Sequence, residues 1–193
     1  MRHFTLRRFL KSKGALETPV ANLIILLATV LLASAVVIYA VNLTKAEALK
    51  EKVYISTSHI WYISDAESVA GLGISNIGPT SVLITQIEIN GLESQWSGTT
   101  NYVVYCEVTG SFPGDLPPVQ TISNTQNTTI TIGGQQFSFA VASAGLTVKS
   151  GWSIAFYIVL PNLISINDLS TPVTITLTTA QSAYFTETLV QSI

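Results

Sequence analysis

Residues Val20–Val41 read VANLIILLATVLLASAVVIYAV, an uncharged apolar run near the start of the 193-residue chain. Its 22 residues would form an α-helix about 33 Å long at ~1.5 Å per residue, enough to cross the hydrocarbon core of a bilayer. Thr18 and Pro19 directly precede the run and suit the N-cap and the first helical position. Residues 44–52 (TKAEALKEK) are rich in good helix formers, so the sequence predicts one continuous hydrophobic helix over residues 15–55.

Charge is distributed unevenly along the chain. Five of the nine basic residues precede Ala15, and no charged residue lies between Glu17 and Lys45. Basic residues on the N-terminal side of an apolar helix stay in the cytoplasm, so residues 1–13 are predicted inside the cell and the remainder outside. From residue 53 onward the chain has eight acidic residues and a single base, Lys149. This balance predicts no nucleic-acid binding, because a phosphate backbone is held by clustered Lys and Arg.

A junction of small residues, Gly14-Ala15, separates the basic segment from the apolar run. In an ordinary secretory signal the small-residue cleavage site follows the apolar segment, so that segment is removed. Here a cut after Gly14 would remove residues 1–14 as a basic leader and would leave the apolar helix at the mature N-terminus. The predicted cleavage residues are Lys13, Gly14 and Ala15.

The stretch Lys13-Gly14-Ala15-Leu16, placed directly before an uncharged helix, resembles the processing site of archaeal type IV pilins and the related archaellins. The resemblance implies cleavage by a prepilin-type peptidase, insertion in the cytoplasmic membrane, and later polymerisation of the chain with itself into an extracellular filament. It also implies an immunoglobulin-like outer domain. Bacterial type IV pilins usually carry Glu at the fifth mature position, whereas this chain would have Pro19 there and Glu17 at the third. The archaeal relatives often lack this Glu, so the resemblance to them stands.

The predicted filament core lies on the apolar helix. Small residues such as Ala28, Ala33 and Ser34 would let helices approach closely, whether in a membrane or in a filament. The resemblance favours a filament subunit with an adhesive role. Two alternatives stay open: an archaellin in a motility filament, and a membrane-anchored, stator-like binding protein that does not polymerise. The residues expected to form the core are Val20, Leu23, Ile24, Leu27, Val30, Leu31, Val37 and Ile38.

The remainder of the chain, residues 56–193, has the short alternating runs and turn signals of an all-β domain. Gly78-Pro79, Asn90-Gly91 and Gly133-Gly134 mark turns between predicted strands. Strict alternation in residues 81–90 places Val82 and Ile84 on one face and Ile87 and Ile89 on the other. Seven to nine short strands with no helical periodicity predict a β-sandwich, and the fold class is therefore α+β. The predicted strands cover residues 68–77, 81–90, 102–108, 128–132, 135–141, 152–160, 173–178 and 184–190.

No motif for catalysis, cofactor binding or metal binding stands out, and the sequence predicts a protein that is not an enzyme. His59 would be the one histidine left after leader removal, and its neighbours Trp61 and Tyr62 favour a structural role. Cys106 is the single cysteine, which excludes an intrachain disulfide and a cysteine-based zinc site. Its apolar neighbours favour a buried thiol, with an intermolecular disulfide as the alternative.

Two sequons for N-linked glycosylation occur in the part of the chain predicted outside the cell. Asn127-Thr128-Thr129 falls in a predicted surface loop, and Asn42-Leu43-Thr44 falls on the predicted helix. Asn127 is the stronger candidate, because polymerisation would bury Asn42.

Overall fold

The computed structural model describes residues 13–64, 67–161 and 164–193, with side chains described from Thr18 onward. The chain forms two compact units, one ending at Ala48 and the other beginning at Leu49. The first unit consists of one α-helix, α1, over Lys13–Ala48. The second unit is built from β-strands. The predicted α+β fold, a long apolar helix followed by a β-sandwich domain, is confirmed.

The helix is shorter than predicted at its C-terminal end. It stops at Ala48, and strand β1 begins at Val53, inside the range expected to be helical. Pairing to the sheet takes precedence over local helix propensity here, because Val53 is opposite Asn76 and the Lys52 carbonyl accepts hydrogen bonds from the Ile77 and Gly78 amides at 3.0 and 3.1 Å.

A buried carboxylate fixes the segment that leads into the domain. Glu51 is only 5% exposed and accepts hydrogen bonds from the hydroxyls of Thr179 and Tyr184. A buried charged group is tolerated only when it is hydrogen-bonded, so these two contacts hold residues 49–52 against the turn that joins the last two strands.

Within the residues that the structure describes, the β domain contains eleven strands. They are joined by tight turns and by irregular segments, and a short 3₁₀ helix covers Ile166–Asp168. The strands are β1 (Val53–Ser64), β2 (Glu67–Asn76), β3 (Val82–Ile89), β4 (Leu92–Glu93), β5 (Tyr102–Thr109), β6 (Thr128–Ile132), β7 (Gln135–Val141), β8 (Leu146–Val148), β9 (Trp152–Val159), β10 (Pro172–Thr179) and β11 (Ala183–Ser192).

A central sheet of four antiparallel strands runs in the order β1-β2-β9-β5. A flanking sheet contains β3, β10 and β11, with the short strands β4 and β8 paired to β3. The two sheets are joined where β11 pairs in parallel with the end of β1, Ile60 opposite Val190. They face one another as the two layers of the sandwich, and their facing side chains form the main core, which includes Leu72, Ile87, Phe156 and Ile175.

The opposite face of the central sheet is also covered. An outer hairpin, β6 and β7, and the irregular segment 110–127 lie over it. Trp61 and Tyr157 stack with ring centroids 6.2 Å apart, and Phe139 of the hairpin meets Tyr157 edge-on at 5.2 Å. Burial on both faces explains why residues 153–158 of β9 are all buried, whereas a sheet with one solvated face would alternate.

The predicted strands correspond to eight of the observed ones within one or two residues at most ends, and three strands were not predicted. The long β1 is the main omission, because its N-terminal half follows helix-forming residues. The alternation predicted for β3 is also wrong. Its pairing with β10 shifts register at Thr178–Thr179, which lie opposite Gln86 and Ile84, so Thr85 is an extra residue. This bulge turns both Ile84 and Ile87 into the main core.

We expect Gly71→Ala to lower the free energy of unfolding by about 1–3 kcal/mol, the usual effect of an overpacked core. A Cβ at Gly71 would lie 3.0 Å from two ring carbons of Trp61. That ring is held between the rings of His59 and Tyr157, so it has little freedom to move away. Chemical unfolding followed by tryptophan fluorescence measures the effect. Ser138→Ala, at an exposed position of β7, is the control, and equal unfolding midpoints for the two variants would contradict this packing.

Candidate assembly surface

The side chains of α1 form a continuous apolar surface. Residues Thr18–Ala48 are long and apolar enough to cross a membrane, by length and composition, and none of the most apolar window is buried within the chain. Large apolar side chains between Val20 and Leu43 are 45–70% exposed. They surround the helix instead of forming one stripe, so α1 has no polar face that would suit a helix resting on a soluble core.

The predicted core residues all belong to this surface. Their neighbours along the helix, among them Ile25, Leu26, Leu32, Val36 and Tyr39, are exposed to a similar extent. The predicted residues are therefore part of a larger apolar surface. In the single chain their side chains are no more exposed than those of these neighbours. The predicted residues that are exposed are Val20, Leu23, Ile24, Leu27, Val30, Leu31, Val37 and Ile38.

Three hydroxyl groups on α1 are satisfied within the helix itself. Thr29, Ser34 and Thr44 donate to the carbonyls of Leu26, Val30 and Ala40 at 2.7–2.8 Å. A hydroxyl bonded to its own helix needs no water, and such bonding makes Thr and Ser compatible with an apolar environment.

Asn22 differs from these hydroxyl residues, and the sequence reasoning did not single it out. Its exposed side-chain amide lies within the apolar run and has no hydrogen-bond partner among the described residues. An amide on a membrane helix forms hydrogen bonds with neighbouring helices, worth about 0.6–2 kcal/mol each. The signal available in the sequence was the position itself, an amide inside a 22-residue run.

The predicted cleavage residues Lys13, Gly14 and Ala15 lie in the first turns of the α1 backbone. Residues 1–12, which make up most of the predicted leader, lie outside the described residues. The side chains of residues 13–17, including that of Glu17, are likewise not among those that the structure describes.

Both sequons are exposed in the chain. Asn127 lies in the irregular segment just before β6, and Asn42 lies on α1 three residues before Lys45. An exposed loop asparagine is accessible to a glycosyltransferase, whereas Asn42 belongs to the apolar helix surface.

His59 and Asp115 form a polar side-chain contact between strand β1 and the irregular segment 110–127. His59 Nε2 lies 2.9 and 3.0 Å from the two carboxylate oxygens of Asp115, which also accepts the Leu116 amide at 2.9 Å. The His59 ring stacks on Trp61, and Leu116 is buried. This pair fastens the irregular segment 110–127 to the central sheet, as the structural interpretation of His59 suggested. The participation of Asp115 could not be read from the sequence, since 56 positions separate the two residues.

Within the part of the chain that the structure describes, no Ser, Thr or Cys side chain hydrogen-bonds to the His59 ring, and no group of three or more His, Cys, Asp or Glu is placed to hold a metal ion. Cys106 is half-buried, and burial together with nearby Glu107 raises the pKa of its thiol. A raised pKa keeps the thiol protonated and makes it a poor nucleophile.

Comparisons with known proteins assign no family. No protein-family model matches the chain, and no curated protein matches it. Among solved structures, the chain is similar to the crystal structure of Spo0M, the sporulation control protein of Bacillus subtilis, with 11% sequence identity and a TM-score of 0.27. The match covers 75% of this chain and 49% of that one, so the chain spans about half the length of Spo0M. At this TM-score the likeness carries no argument about function.

We expect a glycan on Asn127 and none on Asn42 when the protein is made in a cell that attaches N-linked sugars. The intact mass should exceed the polypeptide mass, and Asn127→Gln should bring it back to that value. Asn42→Gln is the matched control and should leave the added mass unchanged. An unmodified mass for the unaltered protein would contradict the expectation.

Proposed function

We propose that the chain is the structural subunit of an extracellular filament of the archaeal type IV pilus kind, assembled through α1. The observation that carries the proposal is the uncharged apolar run Val20–Val41 of α1, exposed on all sides and preceded in the sequence by a basic segment that ends in Lys13-Gly14-Ala15. An anchor that only crosses a membrane would explain the helix, but not a candidate cleavage site placed before it.

The apolar side chains of α1 require a non-aqueous environment. Burying a Val, Leu or Ile side chain fully is worth about 1.5–3 kcal/mol, and more than ten such residues are exposed between Val20 and Leu43. Lipid provides this environment for the precursor, and neighbouring copies of α1 provide it after assembly. A helix packed against several neighbours buries about 2,000 Å² or more, the range of obligate assemblies.

Residues on α1 also suit contact between helices. Ala28, Ala33 and Ala40 are small enough for close approach, and Asn22 supplies an amide that a neighbouring copy can bind. Lipid tails cover apolar surface as well as protein does, so close packing and hydrogen bonds are what favour helix association over lipid.

In this proposal the β domain is the outer, non-enzymatic part of the filament. From residue 53 onward, 37 residues are Ser or Thr and nine are charged, so hydroxyl groups supply much of the polar surface. Ser and Thr hydroxyl groups do not titrate in this pH range and charged residues are few, so such a surface keeps its character over a wide range of pH. The precursor would reside in the cytoplasmic membrane, a prepilin-type peptidase would remove residues 1–14, and the filament would serve adhesion at the cell surface.

Two other functions use the same helix. An archaellin would polymerise in the same way but would form a motility filament. A membrane-anchored, stator-like binding protein would keep α1 in lipid, and the length and composition of Thr18–Ala48 suit this as well. Processing and polymerisation separate the anchored protein from the two filament subunits.

N-terminal sequencing combined with sedimentation tests the proposal. We expect the mature protein to begin at Ala15 and to sediment as filaments after shearing from cells. A chain that retains Met1 and is extracted by detergent as a monomer would establish the membrane-anchored alternative. Archaellin is distinguished by loss of swimming, with adhesion retained, when the chain is deleted.

Replacement of Leu31 by Asp should abolish polymer formation, because it would bury a carboxylate among apolar helices, where an unpaired charge costs several kcal/mol. Leu31→Met keeps the volume and apolar character and is the matched control. Leu27→Asp should act in the same way as Leu31→Asp. Electron microscopy and sedimentation measure assembly, and circular dichroism checks that the β domain stays folded. Filaments of normal stability with Asp at either position would place the polymer core elsewhere.

A further inference from the structure

A polar cleft of about 360 Å³ opens on the β domain, at the end away from the segment that leads in from α1. It is lined by the first residues of β2 and β5 and the last residues of β9, together with the loops around Thr99 and Thr121. The chain enters at the other end, where Val53 pairs with the last residue of β2. The volume lies at the lower end of the range for small-molecule sites.

Hydrogen bonds hold the two loop walls of the cleft together. The Asn124 amide donates to the Thr99 carbonyl at 3.0 Å, and the Tyr102 hydroxyl donates to the Ile122 carbonyl at 2.7 Å. The Ser123 amide is fixed to the Thr128 hydroxyl at 3.0 Å. The segment 110–127, which supplies one of these walls, has no regular structure. Such a long irregular segment is unusual in a compact domain unless it has a function. Walls fixed in advance lose little entropy when a ligand binds.

One wall contains a strained residue. Leu160 has a φ of 47°, in the left-handed region that a bulky side chain rarely adopts, and its amide donates to the Ser68 carbonyl at 2.8 Å. Backbone strain of this kind costs about 1–3 kcal/mol and concentrates at ligand sites, where the surrounding structure maintains it.

The polar side chains around the opening are available to a ligand. Thr99, Thr100, Gln120 and Thr121 are exposed, and within residues 13–64, 67–161 and 164–193 their hydroxyl and amide groups have no hydrogen-bond partner. Together they offer both donors and acceptors. Apolar side chains in the same lining that are partly exposed, Val159 and Leu160, offer a surface for C–H groups.

The charge of the lining selects among ligand classes. Glu67 is the only carboxylate among the described lining residues, and no Lys, Arg or His is present there. Burial raises the pKa of the Tyr102 phenol, which stays neutral. An anionic ligand would find no countercharge, and a metal ion would find too few carboxylates. A neutral molecule with many hydroxyl groups and an apolar C–H face matches the lining.

We infer that this cleft binds a neutral saccharide. A saccharide would be the ligand for the proposed adhesive role, and the biological meaning of this binding rests on that role. Saccharide binding itself does not require a filament. The sugar has two possible sources, a glycan on another surface or a glycan attached to Asn127, which lies three residues after Asn124 in the cleft lining.

The full chain in lipid nanodiscs is the suitable sample, because detergents with sugar headgroups would compete for the cleft. The probe is an array of neutral oligosaccharides ending in glucose, galactose, mannose or N-acetylglucosamine, with sialylated and sulfated oligosaccharides beside them. The strongest neutral oligosaccharide is then titrated by calorimetry. We expect neutral saccharides to bind and acidic ones to bind at least tenfold more weakly.

Thr100→Val combined with Gln120→Ala should weaken binding of that saccharide at least tenfold. Both positions are exposed, so the fold should persist. Thr131→Val combined with Gln135→Ala, exposed positions on the outer hairpin, is the matched control and should bind normally. Absence of binding to any neutral saccharide by both the unaltered chain and Asn127→Gln would overturn the inference, and so would equal binding by the two double variants.

Asn127→Gln distinguishes the two sources of sugar. Binding of added saccharide that increases in this variant identifies the chain's own glycan as the occupant, and unchanged binding identifies an external glycan. If neither the unaltered chain nor Asn127→Gln binds the array, the inference fails for both sources. Leu31→Asp should retain saccharide binding, so a failure of the filament proposal is recognised separately.

Discussion

The apolar surface of α1 is the constraint on which the rest of this protein depends. Apolar side chains surround the helix on every side, so no orientation in water would leave a polar face exposed. The hydroxyl groups of Thr29 and Ser34 are hydrogen-bonded to the helix itself, and the Asn22 side-chain amide has no hydrogen-bond partner among the described residues. Such a helix is compatible with lipid and with copies of itself. In the proposed function α1 lies first in lipid and then against neighbouring copies.

The β domain differs from α1 because it has a polar surface, although few of its residues are charged. Its central sheet is covered on both faces, by the flanking sheet on one side and by the outer hairpin and segment 110–127 on the other. A strand that is buried on both faces disfavours charged residues, and β9 has none. The polar surface is then supplied by the solvent-facing residues of the flanking sheet and the outer hairpin, where Thr is frequent. Polar loops lie at the end of the sheet where the cleft opens.

Local patterns predicted most of the secondary structure, and the failures have physical causes. Strands such as β6 and β7 were placed correctly because Gly133-Gly134 marks the turn between them. The start of β1 was missed because residues 44–52 favour a helix locally, while Glu51 and Lys52 bind to turns far along the chain. Of the candidate site, the apolar run of α1 was predicted, although the helix ends at Ala48 and not near residue 55, whereas the contact between His59 and Asp115 could not be predicted.

The sequence by itself determined the long apolar helix and the all-β character of the remainder. These features follow from composition and short-range periodicity, which act between near neighbours. Only the tertiary structure decided that α1 ends at Ala48, that β3 contains a bulge, that Leu160 adopts a left-handed conformation and that the cleft exists. Each of these depends on contacts between residues distant in the chain, and their free energy outweighs local preference.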